Sequence, residues 1–360
     1  MLIYWLMFCI PALFALIEQN HEVGKNRLTF VWVVTTILIA VIIGFRWKTG
    51  GDWGNYYKDI DGMNWEAWSL TMHRDIGYGQ LAWLASHTGN GMLLIQLFSG
   101  VLMATALTRF SLAQPRPWLC LTVAVPYLIM VLGMGYMRQG IAVSFFLIGV
   151  LALREGRVVR YSLWSALGAT FHSTGVILFP IGAIVSTRNR ILTFFFGSIA
   201  SVLVFVQLLE PKTEQFVGGY VTEQMDSQGA LVRLVMTGLP AILFLIFRKN
   251  FRLGKVERNI WTIMSGAAVA LLLAFFVSPS STVVDRIGLY FIPVQCFVSA
   301  RMPDAFGKSD QARRIIAVMI ILLYAIAFFT WLYFSTHAYL WLPYRFWFFE
   351  DGLCTECRDV

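Results

Sequence analysis

Apolar residues in this chain come in long blocks, neither alternating nor recurring every third or fourth position. The blocks lie near 2–17, 28–45, 91–110, 117–136, 139–153, 158–171, 173–187, 191–209, 230–248, 259–277, 285–300 and 315–334. A helix needs about 20 apolar residues to cross a hydrocarbon core, fewer where it is broken or sheltered by protein. The pattern therefore predicts an all-α, polytopic membrane bundle of about 12 spans, some short or broken. The first block lacks the basic leader of a cleaved signal and is expected to be the first span. The segment 76–90 is too polar to cross and is expected as an amphipathic helix on the surface. Residues 1–360 read as one transmembrane domain, with outer-face loops at 46–90, 211–229 and 278–285 and a tail at 335–360. There is no internal repeat, low-complexity segment or soluble domain in the pattern.

Composition agrees with the blocks. Of the 360 residues, 58% are hydrophobic and 13% charged, against roughly 25% charged in a soluble domain. The net charge of +8 is no argument for nucleic acid until it is split by membrane side. Placing the connections after the odd-numbered spans in the cytoplasm gives them 18 of the 28 basic residues and only 6 of the 20 acids. That is the bias expected of a cytoplasmic face, and it puts both termini outside. The five cysteines are few. Cys9, Cys120 and Cys296 lie in apolar runs and read as packing residues. Cys354 and Cys357 form a CxxC that lacks the two further ligands a metal would need, although an oxidising space would allow a disulfide. No metal and no cofactor is expected.

With this topology the exceptions become informative. Arg46, Arg138 and Arg286 stand at the outer ends of apolar runs, where the charge rule disfavours them. His172 interrupts the run 158–187 at the same level, and Arg345 follows the last span. Asp52, Asp75 and Asp285 are the acids nearby, and Tyr290 lies one helical turn beyond Arg286 on the same face. Each residue alone has a bland reading: an arginine that snorkels to headgroups, a satisfied core histidine, a structural Asp–Arg pair. Together they suggest a lined cavity, because ionisable groups at membrane depth are costly. Guanidinium offers phosphate oxygens a planar fork of donors and stays charged in a low dielectric. The stretch 44–57, with Gly50, Gly51 and Gly54 among Trp47, Trp53, Tyr56 and Tyr57, suits close approach to a sugar face. These features point to a phosphate-bearing lipid with a sugar headgroup.

Five short motifs carry a resemblance. They are Arg46 with Gly51-Asp52 and Tyr56-Tyr57; Tyr136-Met-Arg-Gln-Gly-Ile-Ala142; Phe171-His-Ser173 followed by Pro180; Asp285-Arg-Ile-Gly-Leu-Tyr290; and Pro343-Tyr344. In this order they resemble the EpsG family of exopolysaccharide and O-antigen polymerases, the Wzy-like class. The resemblance implies a bacterial inner-membrane glycosyltransferase working at the non-cytoplasmic face. Its donor and acceptor would both be glycans on undecaprenyl pyrophosphate, among membrane lipids, with a flippase and a chain-length regulator as pathway partners and no nucleic acid. An acceptor hydroxyl would attack the donor's anomeric carbon and polyprenyl pyrophosphate would leave. Arg138 and Arg286, with Arg46, Tyr290, Asp285 and Arg345, are the candidate pyrophosphate-binding residues. His172 is the first candidate general base and Asp52 the second. An O-antigen ligase, which uses the same donor, and a flippase of the same lipid are the alternatives.

Overall fold

In a computed structural model, residues 1–18, 28–185, 229–278 and 280–350 are described, apart from Asn64, Glu66, Thr71, Met72 and Arg74. The described chain is helical and contains no strand; its one β-bridge joins Arg46 to Phe346. Among the described residues, six helices are long and apolar enough to cross a membrane: Gly91–Leu112, Pro117–Gly135, Met137–Arg154, Ala230–Phe247, Lys255–Phe275 and Asp310–Phe334. Leu2–Ile17, Phe30–Gly44 and Ser173–Gly182 are apolar but shorter. The expected dozen spans is therefore not confirmed. The expected span at 191–209 lies outside the described residues, as do most of loop 211–229 and Cys354 and Cys357.

The helices α1 (Leu2–Ile17) and α2 (Phe30–Gly44) precede a short amphipathic helix, α3 (Trp53–Met63). Its buried residues, Trp53, Tyr56, Ile60 and Met63, recur at helical spacing and form one stripe. Helix α4 (Ile76–Ser86) turns Tyr78, Gly79, Ala82 and Ala85 inward. It packs against α3, against α5 (Gly91–Leu112) and against α8 (Val158–Phe171). The polar segment 76–90 thus forms a helix, but one wedged into the end of the bundle.

Helix α6 (Pro117–Ala124) continues as a π-helix through Gly135, and both parts are buried along their whole length. Pro126 has no N–H to give to an α-ladder, and the wider turns begin beside it. This central rod reverses at Tyr136 into α7 (Met137–Arg154). Asp310–Phe334 instead turns many large apolar side chains outward, as suits the edge of a bundle in lipid. Cys120 and Cys296 are buried as expected, whereas Cys9 is exposed on α1.

The run 158–187 breaks where its polar triplet falls. Helix α8 ends at Phe171, His172 is extended, and Ser173–Leu178 is a 3-10 segment leading into α9 (Phe179–Val185). The segment after Phe334 does not trail away. It folds back beneath the stretch 45–52: Tyr4 donates to Trp341 O at 2.6 Å, Trp341 Nε1 to Met130 O at 3.1 Å, and Gly50 N to Leu340 O at 2.8 Å.

Candidate active site at one end of the bundle

Helix α7 is 18 residues long, about 27 Å at 1.5 Å per residue. Arg138 in its first turn and Arg154 in its last therefore mark opposite ends of the bundle. At the Arg154 end the charges are paired off. Arg116 holds Asp304 through two hydrogen bonds of 3.1 and 2.9 Å, and Arg301 reaches Glu257 at 2.8 Å and also bonds Gln114. Arg154 joins Glu257 at 3.5 Å. This end is a clamp on helix termini.

The Arg138 end is more open. Arg138 gives Nη1–H to Asp75 Oδ2 at 3.1 Å, and its guanidinium lies 5.2 Å from the ring centre of Tyr78 and 5.6 Å from that of Tyr56. Asp75 sits just before α4, and its second oxygen accepts Ser173 N–H at 2.9 Å. One carboxylate thus ties the first turn of α7 to the break after His172. At that break His172 Nδ1 lies 2.7 Å from Thr174 Oγ1 and 3.3 Å from the Tyr290 hydroxyl, which is itself 3.1 Å from Thr174 Oγ1. Arg286 lies over the Tyr136 ring at 4.0 Å, with Asp52 Oδ2 3.9 Å from its Nη1. The side chains of Arg138 and Arg286 each keep 30% of their surface exposed, and Asp52 keeps 29%. Burial pushes the Asp52 carboxyl above its ordinary range, while Arg286 and then Arg138 oppose the shift. Both guanidinium groups therefore lie near enough to act on the same carboxylate.

Gln139 keeps that arrangement in register. It follows Arg138 on α7 and donates Nε2–H to Arg286 O at 2.6 Å. The end of the helix Ser281–Gly288 is thereby held against the start of α7.

Other sequence-derived candidates stand apart. Arg46 is only 1% exposed and is spent on backbone carbonyls, with Nε donating to Thr49 O at 3.2 Å and Nη1 to Ile43 O. It closes the end of α2. Asp285 is buried and held by Arg233 in a two-pronged pair of 2.8 and 2.6 Å. Arg345 has an exposed side chain and joins the site loop through its carbonyl, which accepts Trp47 N–H at 3.0 Å. Tyr290 belongs to the cluster through its hydroxyl.

Sequence reasoning missed the partners. Arg233 was hidden in an apolar run, and only its match to Asp285 across the fold gives it meaning. His73 lay in a polar connection, and Tyr78 in a segment expected to lie on the surface. Asp75 had been marked by depth alone. Among the described residues no cluster of His, Cys, Asp and Glu has the form of a metal site.

The EpsG family model matches residues 29–346. No curated protein and no solved structure matches the chain.

Proposed function

The chain belongs to the EpsG family over nearly its whole length, and from that membership we propose that it is a membrane glycosyltransferase that polymerises lipid-linked oligosaccharide repeat units. The donor is a glycan on undecaprenyl pyrophosphate, and the acceptor is a repeat unit on the same carrier. The product is O-antigen, capsule or exopolysaccharide, made at the non-cytoplasmic face of the inner membrane.

The observation that carries this reading is the pair Arg138 and Arg286. They come from distant parts of the chain, both are part-exposed at one end of the bundle, and both bear on Asp52. Two part-exposed guanidinium forks near one carboxylate suit a dianionic pyrophosphate.

That placement supports the following reaction. The acceptor hydroxyl oxygen forms a bond to the donor's anomeric carbon. The bond from that carbon to the pyrophosphate oxygen breaks, and the electron pair leaves with the phosphate. Arg138 and Arg286 take up the charge that develops there. His172 receives the hydroxyl proton, with Thr174 and Tyr290 fixing its ring; Asp52, made more basic by burial, is the second candidate for that role.

The test is a reconstituted reaction. Purified protein in a bilayer, given lipid-linked repeat units and no nucleotide sugar, is expected to yield a ladder of multiples of the repeat. Transfer of glycan only to a lipid A core would favour a ligase. Movement of intact donor across the bilayer without any new bond would favour a flippase.

A further inference from the structure

His73 plays no part in the reaction described above, yet it is the nearest imidazole to Arg138. Its Nδ1 lies 2.9 Å from Asp75 N and its Nε2 lies 3.2 Å from Arg138 Nη1. A neutral imidazole accepts at one nitrogen and donates at the other, so these two contacts cannot both be hydrogen bonds received by the ring. The backbone N–H of Asp75 decides between them. It is fixed in direction and belongs to a buried residue, and such donors are rarely left without an acceptor. Nδ1 therefore accepts from Asp75, and the ring proton sits on Nε2. Burial and the adjacent guanidinium hold the His73 imidazolium below its usual pKa range, which agrees with a neutral ring.

The consequence is two N–H donors, one from His73 and one from Arg138, on nitrogens 3.2 Å apart. The ring packs against α4. It meets Tyr78 edge-on at 5.0 Å between centroids, and Gly79 lacks the Cβ that would stand 2.6 Å from His73 Cβ. Arg138 is equally held by Asp75 and the two tyrosine rings. Two donors this close can both be satisfied by one anionic oxygen set to the side, against both.

We infer that His73 Nε2–H and Arg138 Nη1–H form one oxyanion site that takes a phosphate oxygen of a pyrophosphate-bearing ligand. This rests on the reading of the Arg138 cluster as a pyrophosphate site and adds to it a residue that reads phosphate as a neutral donor. His73 carries no charge to the ligand. It contributes direction.

Two amide replacements separate this from a bracing role. In His73→Gln the side-chain amide reaches the place of Nε2 and can still donate there. In His73→Asn it reaches only the place of Nδ1 and can still accept from Asp75 N–H. The full-length protein in nanodiscs is titrated with inorganic pyrophosphate and, separately, with farnesyl pyrophosphate. Wild type is expected to bind both, the second more tightly if the lipid tail is also held. His73→Gln is expected to stay within about threefold of wild type for both probes, and His73→Asn to weaken both by about tenfold or more, the worth of a hydrogen bond to a charged group. The reverse order, with Asn near wild type and Gln weakened, would show that His73 only braces the Asp75 turn. Equal affinity in all three proteins, or no binding of either probe to wild type, would also overturn the inference. Polymer ladders tell the two readings apart. Wild-type ladders with unaltered pyrophosphate affinity in His73→Asn would remove His73 alone. The expected affinity order without any ladder would leave the oxyanion site standing and remove polymerisation.

Discussion

At the scale of single residues, two arginines that look alike in the sequence have different work. Arg46 and Arg286 both end apolar runs, yet Arg46 is sealed onto carbonyls and Arg286 keeps an open face. The sequence shows the charge and the depth but not the partner, because the partner comes from another part of the chain. Arg233 and Asp285 make the point most plainly. Removing one member of a buried ion pair leaves an uncompensated charge and costs about 3–5 kcal/mol. Arg233→Ala is therefore expected to lower the yield of folded protein and its melting temperature by many degrees. Arg286→Lys, at an exposed and weakly paired position, is expected to leave both nearly unchanged while cutting turnover. Comparable losses of stability in the two variants would contradict this division.

Asp52 gives the pH dependence at the same scale. Its carboxylate stands beside the arginines and repels a bound pyrophosphate. Its pKa is raised, so the carboxylate takes up a proton at a pH above the ordinary value of about 4. Donor affinity is expected to rise as pH falls through that range, because protonation removes a negative charge from the site. Asp52→Asn should bind the donor at least as tightly at neutral pH and lose part of the pH dependence. The difference between the two proteins isolates Asp52 from the imidazoles of His73 and His172. Tighter donor binding by wild type than by Asp52→Asn at neutral pH would contradict this.

At the scale of elements, the break at His172 was legible. The run 158–187 was too long for one span and short for two, and the polar triplet inside it marked where the backbone must leave the helix. Helix α3 was not legible. Glycines at 50, 51, 54 and 62 argue for a loop, and only burial against α4 and α5 makes Trp53, Tyr56, Ile60 and Met63 a helical stripe. The fold-back of the segment after Phe334 was equally hidden, since backbone and indole hydrogen bonds to distant helices hold it. Gly50 shows how tightly these pieces meet. Its φ is +113°, and a Cβ there would stand 2.2 Å from Met134 O. Gly50→Ala is expected to cost about 1–3 kcal/mol through backbone strain alone, with the close approach adding to it. A melting temperature equal to that of wild type would show that loop and rod are not packed this way. For His172→Gln the account expects donor binding to persist while turnover falls by roughly 10²–10⁴. A stable protein with unchanged turnover would take His172 out of the mechanism.

At the scale of the molecule, the two ends of the bundle differ in kind. One end pairs its arginines with acids and ties helix termini together. At the other, Arg138, Arg286, His172 and Asp52 gather, with both guanidinium groups and the Asp52 carboxylate part-exposed. Block hydropathy made the membrane class plain from the sequence, but the number of spans depends on helix lengths that only the fold supplies. The proposed sidedness has a direct check. A cysteine at Asp61, near the open end, is expected to react with an impermeant thiol reagent added outside cells, and one at Asn250 is not. The reverse pattern would place the site in the cytoplasm and end the polymerase reading in its present form.

The central claim is that the open end holds the pyrophosphate that leaves when one repeat unit is joined to another. Its most direct test is to measure, with purified protein and lipid-linked repeat units, polyprenyl pyrophosphate released per new glycosidic bond in wild type, Arg138→Lys and Arg286→Lys. Wild type is expected to release one carrier pyrophosphate for each bond. Both lysine variants are expected to remain folded and to form bonds at least tenfold more slowly, since lysine keeps the charge and loses the planar fork. Bond formation without carrier release, or wild-type rates in both variants, would contradict the account.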